Sequence, residues 1–362
     1  MTADLDRMLG TLDVLGGSDL HLRAGCPPRV RLNGELVPLP GSGLLDADDM
    51  EAVLATVLRP HVAGRFAANG DADVAYTSSA RARFRAHAFR QRGEPSVVLR
   101  RVLDEPRSVE QLRLPAMTRR LADEPRGLVL VCGPTGSGKT STLAAMVDHI
   151  NRTRRVHIVT IEDPIEILHR DRLACVSQRE IGIDLPDYAT GMRAVLREDP
   201  DVIAVGEMRD RETVVAALTA AETGHLVLSS LHTTDAAETV NRIVELFPDD
   251  QRHHVRTVLA ATLKGTICQR LVPSADGSER VPATEVMVVN GRIRRCITEP
   301  GSRQDVGEIV ADSGWYGMQT FDQSLASLYE QRVIDLRQAL STATNPHDLL
   351  VSLRGQGLLE AN

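Results

Sequence analysis

The 362-residue sequence predicts an α/β chain in which a buried parallel sheet with a helical tail follows a smaller α+β domain. Two observations carry this expectation. Four short apolar runs, Gly127–Gly133, Val156–Asp163, Asp201–Glu207 and His225–His232, alternate with helical segments. Near-continuous apolar strands between helices are what a parallel sheet covered on both faces requires. Residues 1–102 instead show short apolar patterns of period two separated by turns, the mark of half-buried strands.

The elements follow in order. Ser18–Gly25, Pro28–Leu36 and Arg83–Phe89 read as strands, with Asn33-Gly34 as a hairpin turn. Asp46–Leu58 has helical spacing and acidic residues in its first turn. Residues 1–102 are therefore expected to form one small α+β domain. The charged stretch Arg101–Pro115 carries a proline near each end and reads as a linker followed by a short docking segment. This divides the chain into 1–102, a linker at 103–115, and a second domain at 116–362. Asp250–Val272 is expected to be helical, with two amphipathic segments between Thr320 and Leu353.

Composition narrows the function. Hydrophobic residues at 42% and charged ones at 25% suffice for two packed cores. Aromatics at 3% and a net charge of −7 argue against a nucleic-acid binder, which needs a basic stripe and stacking platforms. Cys26, Cys132, Cys175, Cys268 and Cys296 are scattered without a Cys-x-x-Cys pair, so neither a zinc knuckle nor a disulfide framework is expected. The N-terminal MTADLDRML does not read as a signal peptide, and no run approaches the ~20 apolar residues that cross a bilayer. A cytoplasmic setting without membrane insertion is expected. Among 42 Lys+Arg residues only Lys139 and Lys264 are lysines. Each lysine in so arginine-rich a chain asks for a specific reason.

Gly133-Pro134-Thr135-Gly136-Ser137-Gly138-Lys139-Thr140 matches G-x-x-x-x-G-K-[ST] in full, with Ser141 opening the helix behind it. An apolar strand precedes it and Ser141–Ile150 reads as a helix. Glycines let backbone N–H groups curl around phosphates, and the helix N-terminus adds its positive dipole end. Lys139 is assigned to the β- and γ-phosphates of ATP and the Thr140 hydroxyl to Mg²⁺. A compact ammonium also suits the space between phosphates better than a guanidinium.

Downstream, Thr160–His169, Leu196–Asp210 and Thr223–Pro248 follow in order. Glu162, Asp163 and Glu207 sit at the C-terminal ends of expected parallel strands, where α/β sheets hold ligands. A carboxylate there positions Mg²⁺ through water or orients the attacking water. Helix capping beside Pro164 is the plain alternative for Glu162 and Asp163, and pairing with Arg209 that for Glu207. His225 and His232 bracket one strand, and each reads either as structural or as functional.

With the phosphate loop, these segments resemble the aspartate box, Walker B segment and histidine box of the secretion ATPase superfamily. The likeness is strongest to the PilT-type retraction ATPases of type IV pili. It implies a RecA-like P-loop ATPase domain behind a PAS-like N-terminal domain. Glu207 would be the Walker B acid and a Mg²⁺ holder, Glu162 the acid that helps activate water, and His232 a sensor of the γ-phosphate. Gly16–Leu36 resembles the opening of the family's N-terminal domain. Arg83–Val102 resembles the segment that delivers arginines to the nucleotide, with Arg85, Arg90 and Arg100 the candidates; an exposed arginine-rich strand is the alternative.

Gly291–Glu299 and Gly317–Asp335 are similar to the retraction motif and C-terminal helices of that family, with Cys296 where the motif has Leu and Thr298 where it has Arg. Ile293 and Ile297 share a helix face, which leaves Arg294, Arg295 and Glu299 for moving partners. The chain has no tetracysteine insertion of the extension and type II secretion motors. The resemblance therefore implies a homo-hexameric, Mg-ATP-hydrolysing motor acting on an inner-membrane pilus platform protein from its cytoplasmic face. Pilus assembly and type II secretion ATPases, a RecA-like nucleic-acid translocase and a non-hydrolysing adaptor are the alternatives.

Lys139→Ala is expected to abolish ATP turnover with the fold intact, since the lost contact is to the transferring phosphate. Phosphate release near the wild-type rate would remove Lys139 from the chemistry.

Overall fold

The computed structural model describes residues 4–32, 34–58, 60–102, 105–301 and 305–359. It divides into two compact units, one of Met1–Glu105 with Pro164–Leu168, the other of Pro106–Asp163 with His169–Asn362.

The first unit is an antiparallel sheet of β1 (Asp19–Arg23), β2 (Arg29–Leu32), β3 (Glu35–Pro38), β4 (Asp71–Thr77), β5 (Arg83–Gln91) and β6 (Glu94–Arg101), in the order β3-β2-β1-β6-β5-β4. Strict alternation decides its two faces. Along β5, Phe84, Ala86 and Ala88 are buried while Arg83, Arg85 and His87 are not. The buried face packs Leu20, Leu22, Val97 and Leu99 with the apolar sides of helices Leu5–Val14, Ala47–Val57 and Pro60–Asn69. Asp46 and Asp49 close a capping box at the second helix, as its acidic first turn implies. β2 and β3 form the expected hairpin, although Asn33 lies outside the described residues.

The second unit holds β7 (Gly127–Cys132), β8 (His157–Glu162), β9 (Cys175–Glu180), β10 (Val202–Val205), β11 (Leu226–Leu231), β12 (Leu263–Pro273) and β13 (Arg280–Val288) in the order β13-β12-β7-β11-β10-β8-β9. Every neighbouring pair is parallel except β12 with β13. β7, β10 and β11 are buried at every residue, which is why they read as near-continuous apolar runs, broken only by Ser229 and Ser230 of β11. Helices Tyr188–Val195, Arg211–Glu222 and Ala236–Glu245 are each started by an aspartate, Asp187, Asp210 or Asp235, that accepts a backbone N–H of the first turn. In the expected docking segment, Val109 and Leu114 are buried with Ala145.

Two expectations need correction. Asp250–Val272 is not one helix: the helix is Asp249–Thr262 and the chain then runs into β12. The run LAATLKGTICQRLV carries no sharp break in apolar content, and pairing with β7 and β13 decides the matter. After Thr320 there are three helices, Phe321–Glu330, Leu336–Thr342 and Pro346–Gly355, because Asp335 and Asn345 each cap a new start. Ile293 and Ile297 are buried as their spacing requires, and Arg294 is exposed. Its Nε donates to the Ala260 carbonyl at 3.0 Å, while Arg256 Nη1 returns a bond to the Ile297 carbonyl at 3.2 Å. Thr298, where a cation was expected, hydrogen-bonds back to the Arg294 and Arg295 carbonyls.

His169 supplies a pH test of this unit. Burial pushes its imidazole down to about 4, with Asp148 opposing weakly. The unfolded chain therefore binds the proton at higher pH than the folded one, and stability falls as pH drops from about 6.5 toward 4. At about 1.4 kcal/mol per pH unit, His169→Gln should spare the protein about 2 kcal/mol of the stability that the wild type loses between pH 7 and 5. Denaturant titrations at the two pH values check this, and equal losses would show that His169 is charged in the fold.

Candidate active site

Parallel strands end at one edge of the sheet, and the four sequence motifs all hang from that edge. Cys132 at the end of β7 leads into Gly133, β8 ends at Glu162, β10 leads to Gly206-Glu207, and β11 leads to His232.

The phosphate loop is tightly backed. Gly133 has φ 145°, and a Cβ there would lie 2.5 Å from both the Gln269 carbonyl and Ser137 Oγ. Gly138, at φ 93°, starts the helix Lys139–Thr153. Ser137 Oγ is buried without a hydrogen-bond partner in the protein. A loop with an orphaned hydroxyl, two left-handed glycines and a helix N-terminus fits a phosphate chain. Next to it lies a pocket of about 260 Å³ lined by Arg107, Ser137, Gly138, Ser141, Gln269 and Arg280. Gln269 comes from β12 and donates its Nε2–H to Thr142 Oγ1 at 2.9 Å.

Lys139 Nζ donates to the carbonyls of Gly133, at 2.8 Å, and Pro134, at 3.0 Å, and lies 3.5 Å from His232 Nδ1. His232 Nε2 stands 3.0 Å from Glu207 Oε2, and the other oxygen of Glu207 pairs with Arg209. A proton on Nε2 donates to the carboxylate, which leaves the Nδ1 lone pair toward the Lys139 ammonium. The result is a continuous line from Lys139 through His232 and Glu207 to Arg209. Burial pushes the Lys139 ammonium down, while Cys132 and Glu207 oppose that shift. A second pocket, of about 700 Å³, opens on the His232 side between Arg209, Asp235 and Arg242.

Glu162 is held from two sides: its Oε1 accepts Thr160 Oγ1–H at 2.6 Å and Gln178 Nε2–H at 2.9 Å. No helix starts at Pro164, so neither Glu162 nor Asp163 is a cap. Glu207 does pair with Arg209, as the plain alternative supposed, but it binds His232 as well. His225 is structural: its Nδ1 lies 3.0 Å from the Ala220 carbonyl at a helix end. Thr140 is exposed on the first turn after the loop.

The N-terminal arginines lie in the other unit. Arg85 and Arg100 are direct cross-strand neighbours on β5 and β6. Arg100 Nε binds buried Asp19 at 2.7 Å, and Arg85 lies 3.6 Å from Asp73 and 3.9 Å from Glu166. Arg90 donates to the Gly93 carbonyl and stacks over Phe66.

Two site neighbours, Gln178 and Tyr188, fall outside every motif, and Ser230 lies inside the Thr223–Pro248 segment without having been singled out. Gln178 on β9 braces Glu162. Ser230 Oγ donates to the Gly206 carbonyl at 2.6 Å. Tyr188 lies over Gly206, where a Cβ would meet the phenol oxygen at 2.9 Å. Burial, then Asp163, Glu207 and Glu162, push that phenol up, so it stays protonated. A phenol beside three acids leaves no periodic trace in the sequence. The glycine opposite it was the available signal.

The family model described as "Type II/IV secretion system protein" matches residues 69–338. A twitching motility protein of Neisseria gonorrhoeae is 40% identical over 328 residues, covering 90% of this chain and 87% of that one. The type IV pilus retraction ATPase PilT of Pseudomonas aeruginosa is 40% identical over 347 residues, covering 95% and 99%. A crystal structure of the pilus retraction motor PilT with bound ADP superposes with a TM-score of 0.88 at 41% identity, over 96% of this chain and 99% of that one.

Glu207→Gln keeps the shape next to His232 and Arg209 but removes the charge. It is expected to bind ATP with little change and to lower kcat by about a hundredfold or more. Loss of nucleotide binding in parallel with turnover would make Glu207 a binding residue instead.

Proposed function

The chain belongs to the type II/IV secretion system protein family, and on that premise we propose that it is a Mg-ATP-hydrolysing motor of type IV pilus retraction. The observation that carries the reading is its likeness, from end to end, to retraction ATPases. The site agrees with the chemistry. The loop amides and Lys139 hold the β- and γ-phosphates, with the ammonium exchanging its Gly133 and Pro134 carbonyl partners for phosphate oxygens. Thr140 and, through water, Glu207 hold Mg²⁺, which supplies charge stabilisation at the transferring phosphoryl group. Glu162, braced by Thr160 and Gln178, faces the same edge and takes part in orienting the attacking water. His232 reads the γ-phosphate from its place between Lys139 and Glu207.

In this reading the working form is a homo-hexamer. Arg85 and Arg100 act on a nucleotide across a subunit boundary, as guanidinium forks suited to developing phosphate charge. Among the described residues no helix is long and apolar enough to cross a membrane. The motor engages a membrane-embedded platform protein at the cytoplasmic face of the inner membrane. The pins from Arg294 and Arg256 fix the retraction-motif helix to its neighbour, so Arg295 and Glu299 are the charges it offers to that partner.

A deletion strain carrying a Lys139→Ala copy is expected to be hyperpiliated and unable to twitch, and the wild-type copy to restore motility. Unpiliated cells would reassign the motor to pilus assembly, and normal twitching would remove it from the pilus altogether.

A further inference from the structure

Glu285 is a carboxylate behind the site that the chemistry above does not use. It lies on β13, directly across from Cys268 on β12, which is itself directly across from Cys132, the residue before the phosphate loop. Residues paired in this way share a face of the sheet. Glu285 Oε1 accepts the N–H of Ala236 at 2.8 Å, at the first turn of the helix Ala236–Glu245. That helix begins where the segment carrying His232 ends.

The segment between them is bound mostly to itself. Asp235 accepts the Glu238 N–H, Glu238 accepts the Thr234 N–H and hydroxyl, and Thr239 Oγ1 bonds to the Asp235 carbonyl and lies 2.6 Å from Thr233 Oγ1. The internal bonds make residues 233–236 one rigid corner. Glu285 ties that corner to the β12–β13 hairpin. We propose that Glu285 is a positioning residue for His232, holding the histidine corner at the γ-phosphate side of the site. The inference rests on the ATPase reading above.

The surroundings of Glu285 give the tie a second property. Asp235 faces it from the helix cap, Cys268 and Arg270 from β12, and Asp322 from the start of helix Phe321–Glu330. Arg270 is engaged elsewhere, donating to the Thr342 carbonyl and stacking on Phe321. Asp322 accepts the Thr344 and Asn345 amides. Burial, helped by Asp235 and Asp322, raises the Glu285 carboxyl to about 7, while the Ala236 amide and Arg270 oppose the rise. Since its folded value lies above the unfolded one, its stabilising share is full below about 4.5 and is lost as pH rises through about 7. Above that pH the carboxylate costs stability, yet it then grips the helix N-terminus with a charge-assisted bond. Function and stability therefore pull in opposite directions at this residue, which makes the role testable.

The test compares full-length wild type with Glu285→Gln and Glu285→Ala by Mg-ATP turnover from pH 6 to 9, affinity for a fluorescent ADP analogue, and thermal unfolding. Glu285→Gln should lower kcat about tenfold at pH 8, as a charge-assisted bond becomes a neutral one, with ADP affinity within about twofold. It should flatten the limb of the pH–rate profile near 7 and unfold no earlier than wild type at pH 8. Glu285→Ala should lose at least as much kcat, again with affinity kept. Wild-type kcat and pH profile in both variants would overturn the role, as would a loss of turnover that merely tracks lost stability and lost affinity. If the wild type hydrolyses no ATP, the ATPase reading fails and this inference with it; if only the variants match wild type, the inference alone fails.

Discussion

The parallel register of β7, β11, β10 and β8 is the constraint on which the rest depends. Parallel strands deliver their C-terminal ends to one edge, and loops leaving that edge converge there whatever their sequence separation. The register aligns Cys132 with Leu231, and Val205 with Ile161 and Ser229. A phosphate loop, a braced glutamate, a Walker-type acid and a histidine thus meet without any of the connecting helices having to carry them. The fully buried strands between the layers make this register expensive to slip, because a shift by one residue would turn apolar side chains out of both covered faces.

Charge at that edge is arranged as a line rather than a cluster. Lys139, His232, Glu207 and Arg209 follow one another, and each group is within reach of the next. Glu207 is largely buried and is satisfied on both oxygens, which is what permits a carboxylate to remain there. One imidazole thus bridges the lysine of the loop and Glu207.

The edge pair β12–β13 gives this machinery its backing. Gln269 braces the phosphate-loop helix through Thr142, its carbonyl closes on Gly133, and Glu285 reaches the histidine corner. The same two strands contact the C-terminal helices through the Val286–Gln319 bridge and through Arg270 on Phe321. The tail and the site thus share one structural element. In the arginine-rich first unit, charge is organised differently: Arg100 is held by buried Asp19, and Arg85 lies beside it on the open face of the sheet.

The sequence alone was enough for whatever is written in one continuous stretch. The phosphate loop, with its apolar strand before it and its helix after it, is such a stretch, and so are the strand ends that carry Glu162, Glu207 and His232. The period-two β5 with Arg85, and the shared face of Ile293 and Ile297, are likewise local, since backbone geometry repeats every few residues. Tertiary structure decided what depends on pairing between distant segments. Asp250–Val272 has apolar content that suits either state, and only the company of β7 and β13 makes its second half a strand. Gln178, Tyr188, Gln269 and Glu285 reach the site through sheet neighbours and helix packing rather than through spacing along the chain. The bond from Arg294 to a carbonyl 34 residues away is of the same kind. Periodicity reports which way a side chain points, and it carries no record of what will be waiting there.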